Sequence, residues 1–241
     1  MLGRIGTLWN ELHTSSIARQ VRLRNLTYLS TQKMRTLEDA LHGVIRERVE
    51  GDFLEFGVAL GGSAIVIASQ LQNGAQFHGY DVFGMIPPPE PCDDIHSHLR
   101  YQEIREGRSN GIGGETYYGY LGDLYDRVCR SFAEFGMPVD GKRITLHRGE
   151  FGATLNNGGS RPVAFAHIDC DWYDSVKTCL DSIAPRLSPG ARIVLDDYND
   201  YGGCRSAVRD FLAVHPECGL EITSPSAMMR RKDELDEKAN A

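Results

Sequence analysis

From residue 51 onward, the sequence alternates between short apolar runs and longer segments whose apolar residues recur at helical spacing. This alternation predicts repeated strand–helix–strand units, which build an α/β fold with a mostly parallel sheet. Seven runs are predicted strands, namely 52–57, 75–81, 143–147, 163–169, 191–195, 220–223 and 227–230. Helical patterns fall near 62–72, 119–135, 173–186 and 203–214. The short turn between the last two strands predicts an antiparallel hairpin that closes the sheet.

Two segments depart from this alternation. Residues 1–50 carry apolar side chains at helical spacing and predict a helical N-terminal extension, which either covers the functional site or builds a homo-oligomer. The mild excess of basic residues in this extension is interpreted as a solvated helix face rather than a partner surface. Residues 84–118 form a connection whose length is typical of a functional lid or of a disordered insert, and its histidines and tyrosines favour the lid. The main domain is therefore predicted over 51–232, followed by a charged tail over 233–241.

Composition restricts the classes of partner and compartment. The chain of 241 residues has 26 Lys and Arg against 33 Asp and Glu, and this formal charge of −7 argues against a nucleic-acid-binding protein. It has no run of about 18 apolar residues that would cross a membrane. Its six cysteines form no C-x-x-C pair and its first residues show no secretory signal. We therefore expect reduced thiols and a cytoplasmic location.

The segment FLEFGVALGGSAIVIASQL predicts a strand, a glycine-rich turn and a helix. Gly57, Gly61 and Gly62 allow the backbone to turn tightly and to approach a ligand closely. The amides at the start of the following helix are expected to point at an anionic group. Asp81 ends the next predicted strand 24 residues after Gly57, a position typical of an acid that binds a ribose diol. These features predict a cofactor site.

Glu55 distinguishes this turn from a dinucleotide-binding turn. The pattern E-x-G-x-x-x-G-G-S differs from G-x-G-x-x-G, and a carboxylate inside the turn repels a pyrophosphate but attracts an ammonium group. S-adenosylmethionine has a ribose, an amine and a carboxylate but no phosphate, so it matches this pattern. Glu150, after the third strand, is a candidate partner of the adenine amine. The alternatives are a structural turn with an exposed Glu55 and an ordinary loop carboxylate at Glu150.

Four aspartates follow two predicted strands at the point where each strand ends. Asp169 and Asp171 follow one strand, and Asp196 and Asp197 follow another 27 residues later. If these strands are neighbours, about 4.8 Å apart, their carboxyl ends bring the four side chains into one crevice. Clustered carboxylates need a compensating cation, and oxygen ligands favour Mg²⁺, Mn²⁺ or Ca²⁺. We assign the metal to Asp169, Asp196 and Asp197, and the role of general base to Asp171.

Three segments carry a family resemblance, namely GDFLEFGVALGGSA, GYDVFGMIPPPE and the stretch from HIDCDWYDS to GCRSAVRDFL. They resemble the macrocin O-methyltransferase (TylF) family, whose members methylate sugar hydroxyls of macrolides and aminocoumarins. The resemblance implies a class I, Rossmann-like fold, with a seven-stranded, mostly parallel sheet and helices on both faces. It also implies S-adenosylmethionine-dependent, Mg²⁺-assisted methyl transfer to a sugar with neighbouring hydroxyls. By this resemblance the metal ligands are Asp169, Asp196 and Asp197, the base is Asp171, and the cofactor residues are Glu55, Gly57, Gly61, Gly62, Ser63 and Asp81.

The sequence departs from the family beside the cofactor turn. Ala59 and Leu60 stand where the family often has Trp and Arg, and Val82 stands where it often has Ser. These differences and the insert affect the expected acceptor more than the expected reaction. The sequence thus predicts an O-methyltransferase that acts on a sugar hydroxyl of a small glycosylated natural product and that assembles as a homo-oligomer.

Other interpretations stay open at this point. A phenol or polyketide hydroxyl is an alternative acceptor, but catechol methyltransferases have a Lys base where this chain has Trp172. A non-catalytic subunit of the same fold and a hydroxylase with a similar metal site are further alternatives. In the simplest alternative the aspartates cap helices and meet solvent. His167 is expected to pack in the sheet.

Overall fold

The computed structural model describes residues 14–72, 74–155 and 160–233. Its strands are β1 Asp52–Phe56, β2 Phe77–Asp81, β3 Ile144–Arg148, β4 Val163–Ile168, β5 Leu187–Leu195, β6 Cys218–Ile222 and β7 Ala227–Arg231. They form one seven-stranded sheet in the order β3-β2-β1-β4-β5-β7-β6. Strands β1 to β5 pair in parallel, and β7 runs antiparallel to both β5 and β6. The predicted fold class is therefore confirmed, including the hairpin at the end of the chain.

Helices cover both faces of this sheet. They are α1 Ser16–Leu23, α2 Thr31–Arg46, α3 Gly62–Ser69, α4 Ile95–Arg105, α5 Leu124–Glu134, α6 Phe151–Thr154, α7 Tyr173–Ile183 and α8 Gly202–Val214. On one face, Leu37 of α2 and Phe132 of α5 belong to the same buried cluster as Phe53 of β1. On the other face, Phe211 of α8 is buried in a cluster with Leu54. Within the described residues, no helix is both long enough and apolar enough to cross a membrane.

The order of the strands determines where a ligand can bind. Strand β1 pairs with β2 on one side and with β4 on the other, so the direction of winding reverses beside β1. Such a reversal leaves a crevice outside the carboxyl ends of the strands. The register pairs Phe56 with Ile168, and Ile168 with Leu195, so β1, β4 and β5 end at the same level. The residues that follow these strands therefore share one edge of the sheet.

Two helices occupy the described part of the N-terminal extension. Ser15 and Ser30 cap α1 and α2, because each side chain accepts a backbone N–H from three residues further on, at 3.1 Å. Contacts of α2 with β4 and β5 place this helix against the sheet. Residues 1–13 of the predicted extension and residues 234–241 of the predicted tail lie outside the described residues.

The insert over 84–118 contains a helix, α4, that the sequence pattern does not predict. Asp94 caps this helix by accepting the backbone N–H of Ser97 at 3.0 Å. Ser97 and Ile104 are its buried residues, whereas Ile95 and Leu99 are 63% and 55% exposed. Because the buried side of α4 is not an apolar stripe, no helical periodicity marks it in the sequence.

Candidate active site

A cavity of about 610 Å³ opens at the carboxyl ends of β1, β2, β4 and β5. Sites for small molecules typically have about 300–1,000 Å³. The N-terminal extension contributes Tyr28, Leu29 and Lys33 to the walls, and the insert contributes Arg100 and Tyr117 among others. Both segments that depart from the strand–helix alternation therefore enclose the same cavity.

Three of the predicted cofactor residues, Gly57, Asp81 and Glu150, line this cavity. Gly57 has a φ of +91°, and a Cβ atom there would lie 1.8 Å from the carbonyl oxygen of Asp169. Only glycine tolerates both the conformation and the contact, so the turn after β1 lies directly against the end of β4. The glycine that the sequence motif requires thus brings the cofactor turn beside a predicted metal ligand.

Asp81 holds the cofactor turn in place. Its Oδ2 accepts the backbone N–H groups of Val58 at 2.8 Å and Ala59 at 2.9 Å, and its Oδ1 accepts that of Phe83 at 2.6 Å. Burial raises the pKa of Asp81, and these three hydrogen bonds oppose the rise. The acid that ends β2 is therefore both a wall of the cavity and the acceptor that shapes the turn.

Gly61, Gly62 and Ser63 are not among the residues that line the cavity. Gly61 precedes α3 with a φ of +87°, and the Gly62 N–H donates to the carbonyl oxygen of Leu26 at 2.9 Å. A Cβ atom on Gly62 would lie 2.4 Å from that oxygen. The amide expected to point at an anionic ligand therefore bonds to the N-terminal extension instead.

Glu55 is fully buried and does not line the cavity. Its Oε1 lies 2.8 Å from Nδ1 of His167, its register partner on β4, and the Ser63 hydroxyl also bonds to it. Burial raises the pKa of Glu55, and the His167 contact opposes the rise. His167 packs inside the sheet as predicted, but Glu55 faces this histidine rather than the place expected for an ammonium group.

The three predicted metal ligands lie together. One carboxylate oxygen from each of Asp169, Asp196 and Asp197 can be chosen so that all three lie within 4.8 Å of one another. Burial and the neighbouring carboxylates raise the pKa values of Asp169 and Asp197 well above the usual range. A cluster that has only oxygen donors and excess negative charge fits a hard divalent cation such as Mg²⁺ or Mn²⁺. We call these residues the three-aspartate cluster.

Asp171, the predicted base, lines the cavity beside this cluster. Its φ is +61°, an uncommon conformation for a residue other than glycine, and its backbone N–H donates to Oδ2 of Asp197 at 2.9 Å. Burial and the Asp196 charge raise the pKa of Asp171 to about 6, although Arg100 and Lys33 lower it. A carboxylate with this pKa can accept a proton near neutral pH. The strained backbone is typical of a functional position.

Lys33 is a site residue that the sequence analysis missed. Its Nζ lies 2.7 Å from Oδ2 of Asp196, 2.7 Å from Oδ2 of Asp200 and 3.2 Å from the Asp196 carbonyl oxygen. The interpretation of the basic N-terminal residues as a solvated face is therefore wrong for Lys33. No local pattern signals the contact, because 163 residues separate Lys33 from Asp196.

The insert is held against the loops that carry the aspartates. Asp93 accepts the backbone N–H of Tyr173 at 2.8 Å, and Asp94 accepts that of Gly202 at 2.6 Å. A Cβ atom on Gly203 would lie 2.0 Å from Oδ1 of Asp93, so the glycine pair at the start of α8 makes room for the insert. We call these two hydrogen bonds the clasp.

The sheet order, the glycine turn after β1 and the acid that ends β2 together define an α/β methyltransferase of the S-adenosylmethionine-dependent class. The sequence model of one family, described as Macrocin-O-methyltransferase (TylF), matches residues 18–225. This chain therefore belongs to the TylF macrocin O-methyltransferase family, and it is an S-adenosylmethionine-dependent O-methyltransferase.

Two relatives agree with this assignment, and a solved structure agrees with the fold. The 8-demethyl-8-(2,3-dimethoxy-alpha-L-rhamnosyl)-tetracenomycin-C 4'-O-methyltransferase of Streptomyces olivaceus is 30% identical over 190 residues, which are 77% of this chain and 67% of the relative. Mycinamicin III 3''-O-methyltransferase of Micromonospora griseorubida is 25% identical over 202 residues, or 78% and 71% of the two chains. The structure of the O-methyltransferase NovP superposes with a TM-score of 0.70 at 20% identity, over 87% of this chain and 83% of NovP.

Proposed function

We propose that this enzyme methylates a sugar hydroxyl of a small glycosylated natural product, with a divalent metal ion, Mg²⁺ or Mn²⁺, in the three-aspartate cluster. The observation that carries the proposal is the position of Asp171, a carboxyl group with a pKa of about 6, beside that cluster in the cavity. The relatives are named as methyltransferases of a rhamnosyl-tetracenomycin and of mycinamicin III. They support the same acceptor class for this chain.

The cofactor end of the cavity is assigned to Gly57, Asp81 and Glu150. Gly57 allows the turn after β1 to lie against the end of β4, and Asp81 and Glu150 offer carboxylates to the ribose hydroxyls and the adenine amine. Four other predicted residues lie behind the cavity wall, where they shape the turn and hold the N-terminal extension. They are Glu55, Gly61, Gly62 and Ser63. S-adenosylmethionine, when bound, supplies the electrophilic methyl group.

The reaction needs the acceptor hydroxyl to lose its proton as its oxygen attacks. Asp171 accepts that proton on a carboxylate oxygen, because it reaches the cavity and is ionised above about pH 6. Asp169, Asp196 and Asp197 would hold the divalent cation, which lowers the pKa of a neighbouring hydroxyl. Walls from the N-terminal extension and the insert would orient the acceptor.

The charge of the cavity favours a neutral or cationic acceptor. Two basic side chains, Lys33 and Arg100, line it against nine acidic ones, namely Asp81, Glu90, Glu150, Asp169, Asp171, Asp174, Asp196, Asp197 and Asp200. One divalent cation and one sulfonium do not balance this excess, so a phosphorylated acceptor would be repelled. We therefore place this methylation after the glycosyl transfer that consumes a nucleotide sugar.

The test is an activity assay on desmethyl glycosides with S-adenosylmethionine and Mg²⁺, read by mass spectrometry. We expect one methyl group per glycoside, loss of product with a chelator, and restoration by Mg²⁺ or Mn²⁺. Asp171→Asn should lose at least about 100-fold in kcat while S-adenosylhomocysteine still raises the melting temperature. Asp181→Asn, an exposed acid on α7, is the matched control and should keep its activity. Unchanged turnover in Asp171→Asn, or full activity without metal, would refute the mechanism.

A further inference from the structure

Helix α2 of the N-terminal extension carries a fixed positive charge to the three-aspartate cluster. The Lys33 ammonium contacts Oδ2 of Asp196 at 2.7 Å, and Oδ1 of the same carboxylate accepts the Ser226 hydroxyl at 2.9 Å. Both oxygens of Asp196 therefore already have partners. A cation that binds Asp196 must share or displace one of them.

This ion pair is shielded from solvent. The Lys33 side chain is 18% exposed and the Asp196 side chain 8%, so water screens their charges less than it does in a surface pair. The same reduced screening applies between the ammonium group and any dication in the cluster. Two cations that share one carboxylate ligand repel each other.

Lys33 has little freedom to withdraw, because α2 is anchored beyond its other end. Glu47, the residue that follows this helix, accepts a hydrogen bond from Nη2 of the buried Arg192 on β5 at 2.8 Å. The Arg192 guanidinium lies directly against Gly43. A Cβ atom on Gly43 would lie 2.6 Å from Cζ of Arg192. Asp200 adds a second carboxylate to Lys33 at 2.7 Å. The helix is therefore held at both ends.

We propose that Lys33 is a positioning residue that docks the N-terminal extension on Asp196 and, by its charge, weakens the binding of a divalent cation to the three-aspartate cluster. The inference rests on the proposed function, since it requires that the cluster binds a metal ion. It assigns the N-terminal extension a second role besides enclosing the cavity: the extension sets the metal affinity of the site.

The test measures Mn²⁺ binding to the full chain by electron paramagnetic resonance of the free ion, so it does not depend on activity. Removal of the charge in Lys33→Met should lower the Kd for Mn²⁺ by about fivefold or more, because the repulsion is lost. Lys33→Arg keeps the charge and should stay within about twofold of the wild type. Lys177→Met removes the same charge from an exposed pair with Asp181 and is the matched control.

An unchanged or higher Kd in Lys33→Met would overturn the inference. Lys33→Gln, a second neutral variant with a hydrogen-bonding side chain, gives the same readout if Lys33→Met does not fold. Asp197→Asn distinguishes a failure of the proposed metal site from a failure of the proposed role of Lys33. If this variant loses Mn²⁺ binding while Lys33→Met binds like the wild type, the metal site stands and the role of Lys33 fails. If the wild type and Lys33→Met both fail to bind Mn²⁺, the proposed metal site fails as well.

Discussion

Asp171 combines a strained backbone conformation with a carboxyl group whose pKa is raised. A φ of +61° turns its amide toward Asp197 and leaves its side chain in the cavity. Such a conformation costs about 1–3 kcal/mol and persists only where the surroundings impose it. Here the imposing contacts are the hydrogen bond to Asp197 and the following residue, Trp172, whose indole N–H donates to the carbonyl oxygen of Pro87 at 3.0 Å.

The pH dependence of the reaction follows from the pKa of Asp171. This group is a base only when ionised, so kcat/KM should rise with pH and level off above its pKa. We expect an apparent pKa at or below about 6, because a bound cation would lower the value further. The measurement is kcat/KM between pH 4.5 and 8, restricted to the pH values at which the enzyme stays folded. A profile that still rises steeply above about pH 7.5 would assign the proton transfer to another group.

Helix α2 and the insert both contact the segments that follow β4 and β5. Lys33 binds the segment after β5, and the clasp binds the segment after β4 and the start of α8. Neither element belongs to the parallel sheet, yet both contact the residues next to the aspartates. The geometry of the site therefore depends on elements outside the sheet that carries its carboxylates.

Loss of Asp93, which makes one of the two hydrogen bonds of the clasp, should loosen the insert. Asp93 is 7% exposed, and it accepts the backbone N–H groups of Tyr173 and Glu90. Asp93→Ala leaves both donors without their partner, which should cost about 1–3 kcal/mol of unfolding free energy. We also expect faster trypsin cleavage inside 84–118 and a higher KM for the acceptor.

The control for this experiment is Asp39→Ala, which removes an exposed acid on α2 whose pair with Arg35 is 3.6 Å long. It should change stability by less than about 0.5 kcal/mol. Equal cleavage rates for Asp93→Ala and the wild type would show that the Asp93 hydrogen bond of the clasp does not hold the insert.

For the whole molecule, the cavity concentrates much of the net negative charge of the chain. The formal charge is −7 over the full sequence, while the cavity alone has nine acidic and two basic side chains. Such a concentration favours binding of cations and disfavours the folded state when no cation is bound. The same carboxylates therefore favour cation binding and lower the stability of the cation-free folded state.

This conflict predicts a pH-dependent stability. The pKa values of Asp169, Asp171 and Asp197 are raised by folding, so the folded chain binds more protons than the unfolded chain. Their contribution is fully present below the unfolded value of about 3.9 and is lost as pH rises through the folded values. Without metal, we expect Asp197→Asn to melt at a higher temperature than the wild type at pH 7.5.

Addition of Mg²⁺ or Mn²⁺ should reverse that order. The cation should raise the melting temperature of the wild type at pH 7.5, and less at pH 5, since protonated carboxylates bind metal weakly. Asp197→Asn should show little response. A metal-independent melting temperature in the wild type at millimolar Mg²⁺ would contradict the assignment of the cluster.

Local patterns in the sequence were enough to predict the fold class, the glycine turn and the grouping of the aspartates. These depend on local patterns: apolar runs of strand length, glycines where φ is positive, and acids directly after strands. Once β4 and β5 are neighbours, the position of Asp169 beside Asp196 and Asp197 follows from the parallel register. The helix within 84–118 escaped prediction because its buried residues, Ser97 and Ile104, do not form an apolar stripe.

The residues that complete the site depend on contacts between distant parts of the chain. Glu55 lies one residue before the end of β1, and the register alone turns its carboxylate to His167 and away from the cavity. The contacts of Lys33 with Asp196 and of Asp93 with Tyr173 join residues 163 and 80 positions apart. Such contacts form when whole elements pack against each other. A local sequence pattern does not predict which distant charged residues this packing brings together.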